Sequence, residues 1–201
     1  MNNSELYIRG KEYRDSDRLQ EAYELFLEAA LTEDDGEAMH ELGDMYLNGD
    51  YVQQSYDKAG YYFGIAYDHG AELWSMEFII AGNCYDERYV RTRDIEDRDK
   101  AIRYFQGAIE DGDKYGYECL GKIYFESGDY DTALKNLKKM NGRNPLGVYY
   151  FARMYDEGLG VPADRNKAID LYRKAYNLDE GMDMDLHSEL SAKRLRELGV
   201  M

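Results

Sequence analysis

Side chains that could bind a metal ion or act as nucleophiles are few and widely spaced in this sequence. The histidines and cysteines together are His40, His69, His187, Cys84 and Cys119. No histidine has a second histidine or a cysteine at the short spacing that zinc ligands use. The spacing therefore predicts no metal site.

Motifs of catalysis and cofactor binding are also missing from the sequence. We find no Gly-x-x-x-x-Gly-Lys-Ser/Thr phosphate loop, no Gly-x-Ser-x-Gly nucleophile turn and no His-Glu-x-x-His. Asp179, Asp183 and Asp185 form a small cluster, but they do not match the ligand spacing of a calcium loop. The sequence therefore predicts a non-enzymatic protein that uses neither a metal nor a cofactor.

The charge balance restricts the class of partner. The 41 acidic residues outnumber the 25 basic ones, which gives a formal net charge of −16. Nucleic acids and anionic membrane surfaces both attract basic protein surfaces, so neither is expected as a partner. The acidic excess either keeps the protein soluble or complements a basic partner, and both interpretations stay open at this point.

The first residues and the apolar runs predict a cytoplasmic protein. No apolar run approaches the ~20 residues that a membrane-spanning helix needs. The opening stretch, MNNSELYIRGKEYRDSD, has no apolar segment behind a basic flank, so we expect no secretory signal.

A small residue followed three positions later by tyrosine recurs along the chain. The pairs are Gly10/Tyr13, Gly43/Tyr46, Gly82/Tyr85, Gly121/Tyr124 and Ala152/Tyr155. A triplet with steps of four and three follows each pair: Ala22-Phe26-Ala29, Ala59-Phe63-Ala66, Ala101-Phe105-Ala108, Ala133-Leu137-Met140 and Ala168-Tyr172-Ala175. Such steps place all three residues on one helix face. Each repeat is therefore predicted to be two helices that approach closely at the small residue, with the large residue filling the gap.

These repeats predict an all-α solenoid of about five helix-turn-helix units in a single domain, residues 1–201. The repeats span approximately residues 3–34, 36–70, 71–112, 113–142 and 144–178. The predicted helices are 3–15, 18–31, 36–48, 55–69, 71–88, 97–111, 113–127, 130–141, 144–157 and 164–177. Residues 183–198 are predicted to form a C-terminal capping helix. The first helix has no such cap, so part of its stacking face is open to a partner or to a second copy of the chain.

The fifth repeat carries a distinctive series of residues: Phe151, Ala152, Tyr155, Gly158, Gly160, Val161, Asp164, Lys167, Ala168, Leu171, Tyr172 and Ala175. This series resembles the Sel1-like repeat, a branch of the tetratricopeptide superfamily. Repeats two and three keep parts of it, and repeat four resembles an ordinary tetratricopeptide repeat. The resemblance implies a right-handed superhelix with the first helices on its concave side. It also implies binding of another protein, without indicating which one.

If the first helices line a concave groove, two columns of side chains should face it. The column just after the small residues is Lys11, Asp44, Asn83, Lys122 and Arg153, and the column one turn earlier is Tyr7, His40, Ile79, Glu118 and Tyr149. We predict that a peptide or protein segment binds there, with the cations pairing with carboxylates and Tyr7 or Tyr149 supplying aromatic contacts. An ordinary solvated helix face is the alternative.

Three further expectations complete the sequence-based account. The highly charged segment 86–99 is expected to be an exposed loop between helices, with a partner contact as the alternative. Cys84 and Cys119 are expected to be free thiols, because their offset along adjacent first helices puts their Cα atoms beyond the ~7 Å that a disulfide allows. The regularly placed cysteine pairs of secreted relatives are absent, which favours a reducing compartment. Two further functions compete with groove binding: an acidic inhibitor that covers a basic partner surface, and a structural subunit that self-associates through its N-terminal helix.

Overall fold

The computed structural model describes residues 4–178 and 186–201, and within these ranges the chain forms eleven α-helices and no strand. The helices are α1 Glu5–Asp15, α2 Leu19–Thr32, α3 Gly36–Asn48, α4 Tyr56–Asp68, α5 Ser75–Thr92, α6 Ile95–Glu110, α7 Tyr115–Glu126, α8 Tyr130–Leu137, α9 Pro145–Glu157, α10 Arg165–Asn177 and α11 Leu186–Glu197. Consecutive helices pair into five hairpins, which confirms the predicted all-α fold of helix-turn-helix repeats.

The chain divides into two compact units, Met1–Asp111 and Gly112–Met201. Unit 1 contains α1–α6 and unit 2 contains α7–α11. The C-terminal helix α11 packs on α9 and α10, at the place where a cap was predicted. Residues 183–185 of that predicted cap, and the Asp179, Asp183 and Asp185 cluster, lie outside the described residues. A single domain over residues 1–201 stays a prediction.

In four of the five hairpins, the two helices approach closely at the repeated glycine. A Cβ atom placed on Gly43 would lie 2.6 Å from Cε1 of Phe63, and one placed on Gly121 would lie 2.6 Å from Cγ of Leu137. Real Cβ contacts essentially never become this short, so only glycine fits against the ring or the leucine. Gly10 with Phe26 and Gly82 with Phe105 repeat the arrangement. The predicted packing role of Gly43 and Gly121 is therefore confirmed.

Replacement of Gly121 by leucine is expected to lower the free energy of unfolding by about 1–3 kcal/mol, because the added side chain would overpack the contact with buried Leu137. Lys135→Leu on α8 is the matched control, since it adds the same side chain at an exposed helical position. Thermal unfolding followed by circular dichroism measures both variants. A Gly121→Leu protein as stable as the Lys135→Leu protein would contradict the close approach.

The charged segment 86–99 is not an exposed loop, so that expectation is wrong. Helix α5 continues to Thr92 and α6 begins at Ile95, which leaves only two residues between the helices. Arg93 ends α5 in the left-handed conformation at φ 61°, and the Asp94 carboxylate caps α6 by accepting from the Glu96 backbone N–H. Buried Asp97 lies 3.3 Å from the Arg88 guanidinium, so part of this charge is neutralised within the hairpin.

Candidate interaction site

Two of the predicted column residues of unit 1, Lys11 and Asp44, lie in a network of ion pairs between α1 and α3. Lys11 Nζ lies 2.7 Å from Glu41 Oε1, and the Arg14 guanidinium pairs with the other oxygen of the same carboxylate. Arg14 also lies 3.7 Å from Asp44. Glu41 was not in the predicted columns, although it lies on the same helix as Asp44. The Glu41 carboxylate pairs with both Lys11 and Arg14. Lys11 is therefore already engaged and is not available to bind a carboxylate of a partner.

The other column residues of unit 1 have different surroundings. The Tyr7 ring packs against Phe26 with its centroid 6.0 Å away, and burial raises the pKa of Tyr7 to about 12. His40 packs against Phe63, and its Nε2 lies 3.2 Å from the Glu77 carboxylate on α5. Asn83 is exposed and lies next to the start of α4. Of these three side chains, only that of Asn83 is exposed, whereas Tyr7 and His40 are half-buried.

The side chain of Glu118 is buried in unit 2, so its predicted place in a binding groove is wrong. It has no exposed surface, and one carboxylate oxygen accepts from the Gly147 backbone N–H at 3.2 Å, in the first turn of α9. The other oxygen has no hydrogen-bond partner within the described residues. Burial raises the pKa of Glu118 to about 7, although the Gly147 bond opposes this shift. Glu118 therefore supports the α7–α9 contact.

Glu118 is expected to make stability depend on pH. Its pKa rises from an ordinary 4.5 to about 7 on folding, so its contribution is fully present below pH 4.5 and is lost as the pH rises through 7. Glu118→Gln keeps the acceptor for Gly147 and cannot ionise. We expect the variant to gain stability over the wild type as the pH rises from 4.5 to 8, as measured by denaturant unfolding. A constant difference across this range would contradict the burial of an ionisable Glu118.

The remaining column residues of unit 2 also make internal contacts. Arg153 Nε lies 2.7 Å from Glu157 Oε1, and the guanidinium lies 4.5 Å from the centroid of the Phe125 ring. The Tyr149 ring contacts Tyr150 and other aromatic rings at centroid separations of 5.3–6.0 Å. Lys122 is half-buried. The cationic column therefore consists of side chains with intramolecular contacts, most of them partly covered.

Unit 1 also contains an acidic cavity that the sequence-based account missed. It has a volume of about 930 Å³ and lies where α2, α4 and α6 end and α3 and α5 begin. Its lining includes Glu33, Asp34, Asp35, Glu37, Glu72 and Asp111, and Trp74 and Tyr67 supply aromatic surface. We call this the acidic cavity.

The carboxylates of the acidic cavity differ in what they do for the fold. Asp35 accepts from Ala38 N and caps α3, and Asp111 accepts from Ser75 N. The remaining four side chains, from Glu33, Asp34, Glu37 and Glu72, form no ion pair or side-chain hydrogen bond in the part of the chain that the structure describes. Three of these four are exposed and Glu37 is half-buried. They add negative charge to the cavity without stabilising a described contact.

Two of these carboxylates lie at an unfavourable end of a helix. Glu33 is the C-cap residue of α2, and Asp34 follows it. The C-terminal end of a helix carries partial negative charge, so carboxylates there are locally destabilising by about 0.3–1 kcal/mol. Both residues also lie just before the N-terminal end of α3, where negative charge is favourable, so the two helix ends act on this pair in opposite directions.

Trp74, the only tryptophan in the chain, lies on the acidic cavity with 72% of its surface exposed. Its backbone N–H donates to Glu77 Oε2 at 2.8 Å and fixes the residue at the start of α5. The indole ring itself is not needed for this contact. The sequence signals that could have indicated the site are the run Glu33-Asp34-Asp35 and a tryptophan just before a helix.

Comparison with known proteins places these repeats in a family. The Sel1 repeat profile matches residues 36–70, 91–113 and 145–180. The chain belongs to the Sel1 repeat family. Proteins of this family are generally protein-interaction modules, and typically non-catalytic scaffolds.

Two solved structures show the same fold. One is a Sel1 repeat protein from Oxalobacter formigenes, with 20% identity and a TM-score of 0.51, where the match covers 90% of this chain and 49% of the other. The second is a protective antigen of uropathogenic Escherichia coli with an SLR fold, also at 20% identity and a TM-score of 0.51, where the match covers 97% of this chain and 46% of the other. The chain thus spans about half the length of both.

The segments that match the Sel1 repeat profile do not include the most exposed residues of the acidic cavity. Trp74 lies between the first and second matched segments, and Glu33 and Asp34 precede the first. These residues lie outside the matched segments. Across residues 4–178 and 186–201, no helix has the length and apolar character needed to cross a membrane.

Cys84 and Cys119 are buried and form no disulfide, in agreement with the prediction that both remain thiols. Burial raises the pKa of Cys84 to about 11, so this thiol is protonated at neutral pH. A protonated, buried thiol is a poor nucleophile.

Proposed function

We propose that this Sel1 repeat protein is a non-catalytic binding module whose acidic cavity receives a basic segment of a partner protein. The observation that carries the proposal is the exposed ring of Trp74 beside four carboxylates that have no cationic partner in the described structure. This combination of groups suits the side chains of lysine and arginine.

Charge gives the acidic cavity its preference for cations. Glu33, Asp34, Glu37 and Glu72 add to a chain that already carries a net charge of −16, so a basic segment is attracted at long range and an acidic one is repelled. Each exposed ion pair contributes only about 0.2–1 kcal/mol. Several basic side chains bound together are therefore needed for useful affinity.

Trp74 adds a contact that charge alone does not provide. A guanidinium or ammonium group over an indole face gains about 0.5–2 kcal/mol, and more where water is excluded. Arginine can also stack its planar group on the ring. The favoured ligand is therefore an arginine-containing basic segment.

Calorimetric titration with an Arg/Lys-rich synthetic peptide tests this function. Neutralising the four carboxylates, as Glu33→Gln, Asp34→Asn, Glu37→Gln and Glu72→Gln together, is expected to weaken binding on the order of 10- to 100-fold. The matched control neutralises four exposed carboxylates outside the cavity: Glu12, Glu28, Asp57 and Glu87. It changes the net charge equally and should weaken binding only a few-fold.

Two outcomes would overturn the proposal. One is equal weakening in both quadruple variants, which would mean that the peptide responds to overall charge. The other is equally tight binding of a Glu-rich peptide of the same length. Circular dichroism melting of each variant confirms that the fold is retained.

The repeat column stays a separate proposal for the same general function. A partner carboxylate could still displace Glu157 from Arg153 and bind beside Lys122. Reversal of both cations to glutamate is then expected to weaken partner binding by a few kcal/mol. If this double variant keeps its affinity for the partner while the quadruple variant of the acidic cavity loses it, the column is not the binding site. That outcome would favour the acidic cavity.

Two further parts of the proposal concern the cellular compartment of the protein and its self-association. The buried free thiols suit a reducing compartment such as the cytoplasm. We also propose self-association through α1 as a second use of the fold, because Ile8 on that helix is 49% exposed.

A further inference from the structure

Three potential metal ligands meet between α3 and α5, apart from the carboxylates of the acidic cavity. His40 and Asp44 lie one helical turn apart on α3, and Glu77 reaches the same point from α5. One donor atom from each lies within 4.8 Å of the others. His40 and Asp44 are 4 residues apart in sequence, and Asp44 and Glu77 are 33 apart. A search for local motifs therefore does not find this group.

The spacing of two of these donors matches that of zinc ligands. His40 Nε2 lies 3.2 Å from Glu77 Oε1, although Nε2 is buried and is not aligned for a hydrogen bond. Tetrahedral ligands at about 2.0–2.1 Å from Zn²⁺ are separated by about 3.3 Å. An ion bound between the two atoms therefore requires little movement of either side chain.

Neighbouring groups orient the carboxylates of Glu77 and Asp44 and leave oxygen atoms of both available to bind a metal ion. Glu77 Oε2 accepts from Trp74 N at 2.8 Å, which leaves Oε1 directed to His40. Arg14 pairs at shorter range with Glu41 than with Asp44, from which it lies 3.7 Å away. Such outer contacts orient ligands in protein metal sites.

The local charge also suits a divalent cation. Burial raises the pKa of Asp44; His40 and Arg14 oppose this shift, and the Glu77 and Glu41 carboxylates add to it. Burial opposes the charged form of His40, but its interaction with Glu77 outweighs this effect and raises the pKa of His40. Lys11 and Arg14, the cations on α1, act mainly on Glu41. A divalent cation would neutralise both carboxylates of the trio.

We propose that His40, Asp44 and Glu77 form a zinc site that links α3 to α5. One imidazole and two carboxylates are ligands that Zn²⁺ accepts, and a water molecule would complete the coordination. His40 also lines the acidic cavity, which provides a path for the ion. This site goes beyond the binding of a basic segment and does not depend on it.

Titration of the metal-free protein with Zn²⁺ against a chromophoric chelator tests the site at pH 7.5. We expect one ion per chain, and at least tenfold weaker binding in His40→Gln and in Asp44→Asn. Co²⁺ provides a second readout, because its visible absorption reports the coordination geometry. His69→Ala is the matched control, since His69 lines the same cavity but does not belong to the trio. It should bind Zn²⁺ as the wild type does.

Binding is also expected to weaken as the pH falls, because Zn²⁺ binds only the neutral imidazole. The proposal is overturned if the wild type shows no saturable binding, or if His40→Gln and Asp44→Asn bind as tightly as the wild type. Loss of binding in His69→Ala would overturn it as well. Peptide titrations performed with a chelator present keep this test independent of the proposed function.

Discussion

Truncation of Phe63 to alanine is expected to lower the free energy of unfolding of unit 1 by about 3–5 kcal/mol. The ring has no exposed surface, and it lies in the close contact between α3 and α4 where only glycine fits at position 43. Removing it leaves a cavity that the glycine backbone cannot fill. The unfolding midpoint should fall by more than about 10 °C.

Trp74 emission follows this transition, because the only tryptophan lies in unit 1. Tyr56→Ala is the matched control, since it removes an aromatic ring from the same helix at a position that is 62% exposed. We expect the control to change stability by less than about 1 kcal/mol. Equal effects of the two truncations would contradict the repeat packing.

Replacement of Trp74 by alanine is expected to weaken binding of the Arg/Lys-rich peptide by about 2 kcal/mol, or roughly 30-fold. The substitution removes the ring but keeps the backbone N–H that donates to Glu77. Trp74→Phe should have an intermediate affinity, because phenylalanine binds cations more weakly than indole does. Calorimetry measures both variants under the same salt conditions.

Met76→Ala is the control for loss of exposed apolar surface near the same helix terminus. Met76 is 60% exposed and does not line the acidic cavity. The Met76→Ala variant should bind the peptide with the same affinity as the wild type. A Trp74→Ala protein that binds the peptide as well as the Met76→Ala protein would show that the indole is not part of the site.

The fold could be predicted from the sequence because the repeats share one packing pattern: a small residue on the first helix contacts a large residue on the second. Gly43 and Phe63 are 20 residues apart, and the corresponding Gly82 and Phe105 are 23 apart, yet both pairs form the same contact. The helix ends were harder to place, because they depend on local capping rather than on the apolar pattern. Helix α5 runs past its predicted end to Thr92, and Asp94 caps α6 before its predicted start, so most of the predicted loop is helical.

The candidate site was predicted less well, because it depends on how neighbouring hairpins pack. The column argument treated each first helix separately and therefore missed that Glu41 of α3 neutralises Lys11 of α1. It also placed Glu118 in a groove, whereas the start of α9 covers this carboxylate. The acidic cavity collects residues from three inter-helix connections, and no single stretch of sequence displays it.

Fluorescence titration of Trp74 is the most direct test of the proposed binding of a basic segment, because no other tryptophan contributes to the signal. We expect a saturable change in tryptophan emission as the Arg/Lys-rich peptide is added, with the affinity that calorimetry gives. The Glu-rich peptide should leave the emission unchanged, and the cavity quadruple variant should respond only at much higher peptide concentration. Calorimetric binding of the basic peptide without any change in Trp74 emission would place the ligand elsewhere and contradict the acidic cavity as the binding site.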